Sequence, residues 1–163
     1  MEEKDILEGK RILIVDDEPD VLDTLEELLS MCDLEKAAGF EEAKELMEKS
    51  HFDMAILDIM GVNGYELLEI ANGKKIPAVM LTAHALTPDN IVKSFKEGAA
   101  FYVPKDEMVN ITTFLKDILE AKKKGKSSWW RWYDRLADFC DKKLGPNWQH
   151  EDKEFWEKFK YYT

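Results

Sequence analysis

Four short apolar runs, each leading into a residue suited to phosphate or metal chemistry, constrain this 163-residue chain more than any other feature. Ile12-Leu13-Ile14-Val15 ends on Asp16-Asp17-Glu18, and Met54-Ala55-Ile56-Leu57 ends on Asp58. Ala78-Val79-Met80-Leu81 ends on Thr82, and Phe101-Tyr102-Val103 runs through Pro104 into Lys105. Short runs of this kind, alternating with helical patterns, are what βα units around a parallel sheet look like in sequence. Side chains just past the carboxyl ends of such strands face one crevice. Three carboxylates, a hydroxyl and an ammonium would converge there, a set that suits a divalent cation and a phosphoryl group.

The intervening segments fit that architecture. Val21, Leu22, Leu25, Leu28 and Leu29 recur at spacings of three and four and predict a helix, with Pro19 in its first turn and Asp17 or a neighbour as its cap. Residues 34–38 read as a polar edge strand, followed by a helix with Ala43, Leu46 and Met47 inward. Gly61 and Gly64 make a turn before a helix around Tyr65 to Ile70, and Pro77 marks the next strand. A helix from about Pro88 to Glu97 is stopped by Gly98, and a last one carries Ile111, Phe114, Leu115, Ile118 and Leu119. The reading is α/β, with βα repeated five times.

Lys122-Lys123-Lys124-Gly125-Lys126-Ser127-Ser128 is charged, small and flexible, and divides the chain into a domain at 1–124 and an extension at 125–163. In the extension Trp129, Trp132/Tyr133, Leu136, Phe139/Cys140 and Leu144 form a helical stripe, broken by Gly145-Pro146. Phe155, Trp156, Phe159 and Tyr162 repeat the spacing, and all five tryptophans lie after residue 128. Three roles stay open for this aromatic tail: packing on the chain's own surface, homodimerisation, or docking to a partner, because Trp and Tyr anchor interfaces.

The net charge of −11 is uneven. Residues 1–124 hold 15 Lys/Arg against 27 Asp/Glu (−12), and residues 125–163 hold 8 against 7 (+1). An acidic main domain and a nearly neutral tail argue against nucleic acid as a partner. No apolar stretch is long enough for a membrane span. Met1-Glu2-Glu3-Lys4-Asp5 is too acidic for a secretory signal, and Cys32 and Cys140 lack metal-ligand spacing, so a cytoplasmic protein with reduced thiols is expected.

Taken in order, Ile-Leu-Ile-Val-Asp-Asp-Glu-Pro (12–19), Ala-Ile-Leu-Asp-Ile (55–59), Leu-Thr-Ala-His-Ala (81–85) and Gly-Ala-Ala-Phe-Tyr-Val-Pro-Lys (98–105) resemble the receiver domain of bacterial response regulators, including the single-domain chemotaxis type. The resemblance covers about residues 10–124 and implies a flavodoxin-like doubly wound sheet of order 2-1-3-4-5, plus the helical aromatic extension. It implies that Asp58 accepts a phosphoryl group from a sensor histidine kinase or phosphotransfer protein. Mg²⁺ (or Mn²⁺) would be bound by Asp17, by Asp16 chiefly through water, by Asp58 and by the Met60 backbone carbonyl. Thr82 would be the switch hydroxyl, Lys105 the phosphoryl-binding lysine, and Tyr102 the switch aromatic that follows Thr82. Self-phosphorylation and autodephosphorylation with Mg²⁺, rather than conventional enzyme turnover, would be its chemistry.

In the family the positions two beyond the phosphoacceptor and two beyond the switch hydroxyl tune dephosphorylation. Here they are Met60 and His84, and apolar Met60 offers nothing to orient an attacking water, so a long-lived phosphoprotein is expected. The turn Asp58-Ile59-Met60-Gly61-Val62-Asn63-Gly64 lacks the family's Met-Pro and is about two residues shorter. Phosphatases of the haloacid dehalogenase class would need a second Asp at the Met60 position. The resemblance implies a switch without a DNA-binding output domain, acting on a downstream protein. A phosphorylation-independent adaptor and a phosphorelay intermediate are its rivals.

Overall fold

The structure, a computed structural model, describes residues 5–83 and 86–162. The acidic residues 1–4, His84, Ala85, Thr163 and the side chains of Glu151, Lys160, Tyr161 and Tyr162 lie outside the described residues.

Five strands, β1 (Arg11–Val15), β2 (Asp33–Ala37), β3 (Met54–Asp58), β4 (Ala78–Thr82) and β5 (Phe101–Pro104), form one sheet in the order β2-β1-β3-β4-β5. All four pairings are parallel, as the doubly wound reading requires. Every residue of β3 and β4 is buried. Helices cover both faces of a sheet like this, so its inner strands read as unbroken apolar runs instead of alternating ones. Edge strand β2 is the exception: Asp33, Glu35 and Lys36 face outward in part, and the strand begins one residue before the expected 34–38.

Register brings the strand ends level. Val15 pairs with Leu57, Asp58 with Leu81 and Thr82 with Pro104. Asp58 and Thr82 are therefore the last residues of their strands, whereas Asp16 and Lys105 lie just past theirs.

The helices α1 (Pro19–Leu28), α2 (Phe40–Lys49), α3 (Gly64–Gly73), α4 (Pro88–Lys96) and α5 (Ile111–Lys123) follow the strands in turn. Pro19 occupies the first turn of α1 as expected, but Glu18 holds the N-cap position and no side chain caps it. Asp17 does not cap; instead Glu18 N–H donates to Asp16 Oδ1 at 2.9 Å, fixing the deeper carboxylate. α4 is conventionally capped: Asn90 N–H donates to Thr87 Oγ1 at 3.1 Å, with Pro88 following.

The aromatic tail forms α6 (Trp129–Leu144), a 3₁₀ turn (Trp148–Asp152) and α7 (Lys153–Tyr162). It packs against α4, β5 and α5 of the same chain. Trp129, Trp132, Leu136, Cys140, Trp148, Phe155 and Phe159 are buried in the same core as the sheet. Phe95 of α4 meets the rings of Trp129 and Phe155 at 5.2 Å and of Phe159 at 5.6 Å. Each large apolar side chain buried this way contributes on the order of 2 kcal/mol. Polar groups lock the orientation: the Trp129 indole N–H donates to Ala99 O at 2.7 Å and that of Trp132 to Tyr102 O at 2.8 Å. Arg135 donates from Nε and Nη2 to the buried Asp117 carboxylate of α5. Among the described residues, no helix is long and apolar enough to cross a membrane.

Candidate functional site

The level strand ends carry the predicted acids into contact. Oxygens of Asp16, Asp17 and Asp58 lie within 4.8 Å of one another. Asp16 and Asp58 are buried, and Asp17 stands at the solvent side. Lys105 reaches in from the end of β5, its Nζ 2.9 Å from Asp16 Oδ2, 3.6 Å from Asp58 Oδ1 and 3.7 Å from Glu18 Oε2. These groups border a cavity of about 150 Å³ lined by Asp17, Glu18, Asp58, Met60, Gly61, Ala83 and Lys105. Larger cavities lie on the α3 flank (Tyr65, Glu66, Glu69, Asn72, Glu97) and between α5 and α6 (Glu107, Arg131, Arg135), away from these strand ends.

One lysine faces four acids, and the electrostatics show the deficit. Burial, then the charge of Asp16, push the Asp58 carboxyl up to about 7, although Lys105 opposes the rise. Burial also raises Asp16, against the Glu18 N–H and Lys105. For Lys105 burial works against the charge, but its pairing with Asp16 prevails and its pKa is raised. Asp16 Oδ2 is buried and makes no well-directed hydrogen bond despite the nearby ammonium. An acidic, all-oxygen pocket short of positive charge fits a hard divalent cation such as Mg²⁺.

The remaining predicted residues take up second-rank positions. Met60 lines the cavity and is 59% exposed. Thr82 is buried at the end of β4, one residue beyond the partner of Asp58. Tyr102 is fully buried, and its phenol interacts with Thr82. Burial raises the Tyr102 phenol above its ordinary value. His84 lies outside the described residues.

Sequence reading did not assign a site role to three residues here. Glu18 joins the Lys105 cluster; its signal was adjacency to the acidic pair. Gly61, at φ +87°, packs so tightly on Asp17 that a Cβ would sit 2.5 Å from Asp17 Oδ2. Gly64 is required similarly, since a Cβ there would meet the Asp58 carbonyl at 2.2 Å. The two glycines let the shortened turn fold back onto the Asp17 carboxylate and the Asp58 backbone.

Comparison with known proteins agrees with this geometry. The family model "Response regulator receiver domain" matches residues 12–116. The two-component response regulator ARR18 of Arabidopsis thaliana is 38% identical over 103 residues, covering 60% of this chain and 16% of the relative. The heme response regulator HssR of Staphylococcus aureus is 35% identical over 98 residues, covering 57% of this chain and 43% of the relative. The chain thus spans less than half the length of these curated relatives. Among solved structures, a CheY-like response regulator receiver domain protein from Methanospirillum hungatei JF-1 superposes with a TM-score of 0.62 at 29% identity, covering 71% of this chain and 98% of that one. A putative response regulator from Chloroflexus aurantiacus J-10-fl gives 0.61 at 30% identity, covering 69% and 99%. With the family model matched over residues 12–116 and the strand order β2-β1-β3-β4-β5, the chain belongs to the response regulator receiver domain family of two-component signalling.

Proposed function

We propose that Asp58 is the phosphoacceptor of a two-component switch. The carrying observation is the Lys105 ammonium set between Asp16 and Asp58 over a cavity of about 150 Å³ at the strand ends. One oxygen of the Asp58 carboxylate attacks the phosphorus of a phosphohistidine on a kinase or phosphotransfer protein. The P–N bond breaks, the imidazole leaves with the bonding pair and takes up a proton, and an aspartyl phosphate remains. Such transfers depend mainly on positioning and charge stabilisation. Lys105 is close enough to turn from Asp16 to the phosphoryl oxygens, and the Thr82 hydroxyl donates to one of them.

Asp16, Asp17, Asp58 and the Met60 carbonyl are the groups that would hold Mg²⁺. The bound cation supplies neutralisation of the phosphoryl oxygens. We assign this chemistry to a receiver spanning residues 1–124, with residues 125–163 as its extension, and its output to altered affinity for a protein partner.

The test is intact mass after incubation with acetyl phosphate, with and without Mg²⁺, for the chain and for Asp58→Ala. A gain of one phosphoryl group requiring both Mg²⁺ and Asp58 is expected. No gain in folded protein that still binds Mg²⁺ would sink the phosphoacceptor assignment for small donors and favour the adaptor.

A further inference from the structure

Tyr102 is enclosed from two sides. On the sheet side its phenol interacts with the Thr82 hydroxyl and with the backbone of Thr87. On the other side lies α6, where fully buried Trp132 donates to the Tyr102 carbonyl at 2.8 Å and Cys140 is buried on the same helix. Trp129 and Ser128 make the same kind of bond to the carbonyls of Ala99 and Ala100. The tail is thus latched along the segment that ends, three residues after Tyr102, at Lys105.

We propose that α6 and α7 are the resident partner of the switch face, and that their docking and the phosphoryl group on Asp58 stabilise one another. The inference rests on the phosphoacceptor reading above. Its sign follows from hydrogen-bond inventory. A hydroxyl accepts and donates at once. Thr82 can accept from Tyr102 while donating to a phosphoryl oxygen on Asp58, and bonds in such a chain strengthen each other. The docked tail holds Tyr102 in the position that serves this chain. An undocked tail would uncover the ring and remove the Trp132 donor, leaving Tyr102 room to turn away from Thr82. Coupling between two sites is reciprocal, so whatever the tail does for the phosphoryl group, the phosphoryl group does for the tail.

The test uses the full chain, Mg²⁺ and beryllofluoride, a non-covalent phosphoryl mimic. Trp129, Trp130, Trp132, Trp148 and Trp156 all lie in the tail, so tryptophan emission follows it alone. Beryllofluoride is expected to change that emission and to slow hydrogen exchange of the amides in α6 and α7 severalfold. Trp132→Phe keeps a ring but deletes the N–H, and is expected to weaken beryllofluoride about fivefold, the effect of one hydrogen bond, with Mg²⁺ affinity unchanged. Trp130→Phe removes an indole N–H that has no hydrogen-bond partner, and should bind as the parent does.

Beryllofluoride binding with unchanged or faster exchange in the tail would overturn the coupling and leave the phosphoacceptor reading standing. Wild-type affinity in Trp132→Phe would do the same. Failure of the parent chain to bind beryllofluoride at all would remove both. The exchange measurement needs no variant and decides alone should Trp132→Phe not fold.

Discussion

The Lys105 ammonium lies nearer to Asp16, at 2.9 Å, than to Asp58, at 3.6 Å. Before any phosphoryl group arrives, its charge is engaged chiefly by the deepest carboxylate of the site. Lys105→Met keeps the length of the side chain and removes the charge. Breaking a buried pair by deleting one partner typically costs about 3 kcal/mol. That loss is expected in urea denaturation without Mg²⁺, and a smaller one with Mg²⁺, which replaces the missing positive charge. Phosphorylation by acetyl phosphate should fall at least about tenfold, the scale of one lost charged contact to the transferring group.

Asp58 gives the site a pH signature. Its folded carboxyl is pushed up to about 7 from an ordinary 3.8. Below pH 4 both states carry the proton and nothing is gained or lost. As pH rises from 4 to 7 the unfolded chain gives up its proton first, so stability falls, and above 7 the full penalty is present. Asp58→Asn removes it. The variant should match the parent near pH 4 and exceed it by on the order of 2 kcal/mol at pH 8 without Mg²⁺. Saturating Mg²⁺ should reverse the order, because only the parent offers the third carboxylate. Urea midpoints at pH 4.5, 6 and 8 with chelator or Mg²⁺ check each part. A parent more stable than the variant at pH 8 in chelator would contradict it.

Gly61 is tested through its neighbour. A methyl group there would lie 2.5 Å from Asp17 Oδ2, and φ of +87° strains any side chain. Gly61→Ala is expected to cost about 1–2 kcal/mol from the backbone alone. It should also displace the Asp17 carboxylate and weaken Mg²⁺, measured by calorimetry, about tenfold or more. An unchanged Mg²⁺ affinity would show that the close contact does not position Asp17.

Met60 is expected to set the lifetime of the proposed aspartyl phosphate. The residue is 59% exposed at the cavity rim, and its side chain has no group to orient water. Met60→Gln supplies a carbonyl and an amide at that rim. Loss of the aspartyl phosphate, followed by intact mass over time, should become severalfold faster in the variant. Equal decay rates would place control of hydrolysis elsewhere.

The convergence of Asp16, Asp58 and Lys105 was legible because each apolar run leads into a charged residue at the carboxyl end of its strand. The doubly wound order followed from the same motifs. Which of Asp17 and its neighbours takes the N-cap was left open by the sequence, and Glu18 takes it without a side-chain cap: a carboxylate after a strand can serve the helix or the crevice, and spacing alone does not choose. The Gly61–Asp17 contact was hidden because it depends on how a shortened turn folds back. The destination of the aromatic stripe was hidden too. Its periodicity shows that Trp129, Trp132 and Leu136 share a face, but the surface that receives them is assembled from Phe95, Ala99 and Tyr102, some thirty residues away.

The sheet has two outer strands, protected by opposite means. β2 presents Asp33, Glu35 and Lys36, charges that discourage a second chain from adding alongside. β5 is Phe-Tyr-Val-Pro with no charge at all, and α6 lies against it. The aromatic tail is therefore also a guard against intermolecular strand addition. A fragment ended at the apparent boundary near residue 124 would expose an apolar margin and tend to aggregate, however intact its cluster of strand-end carboxylates.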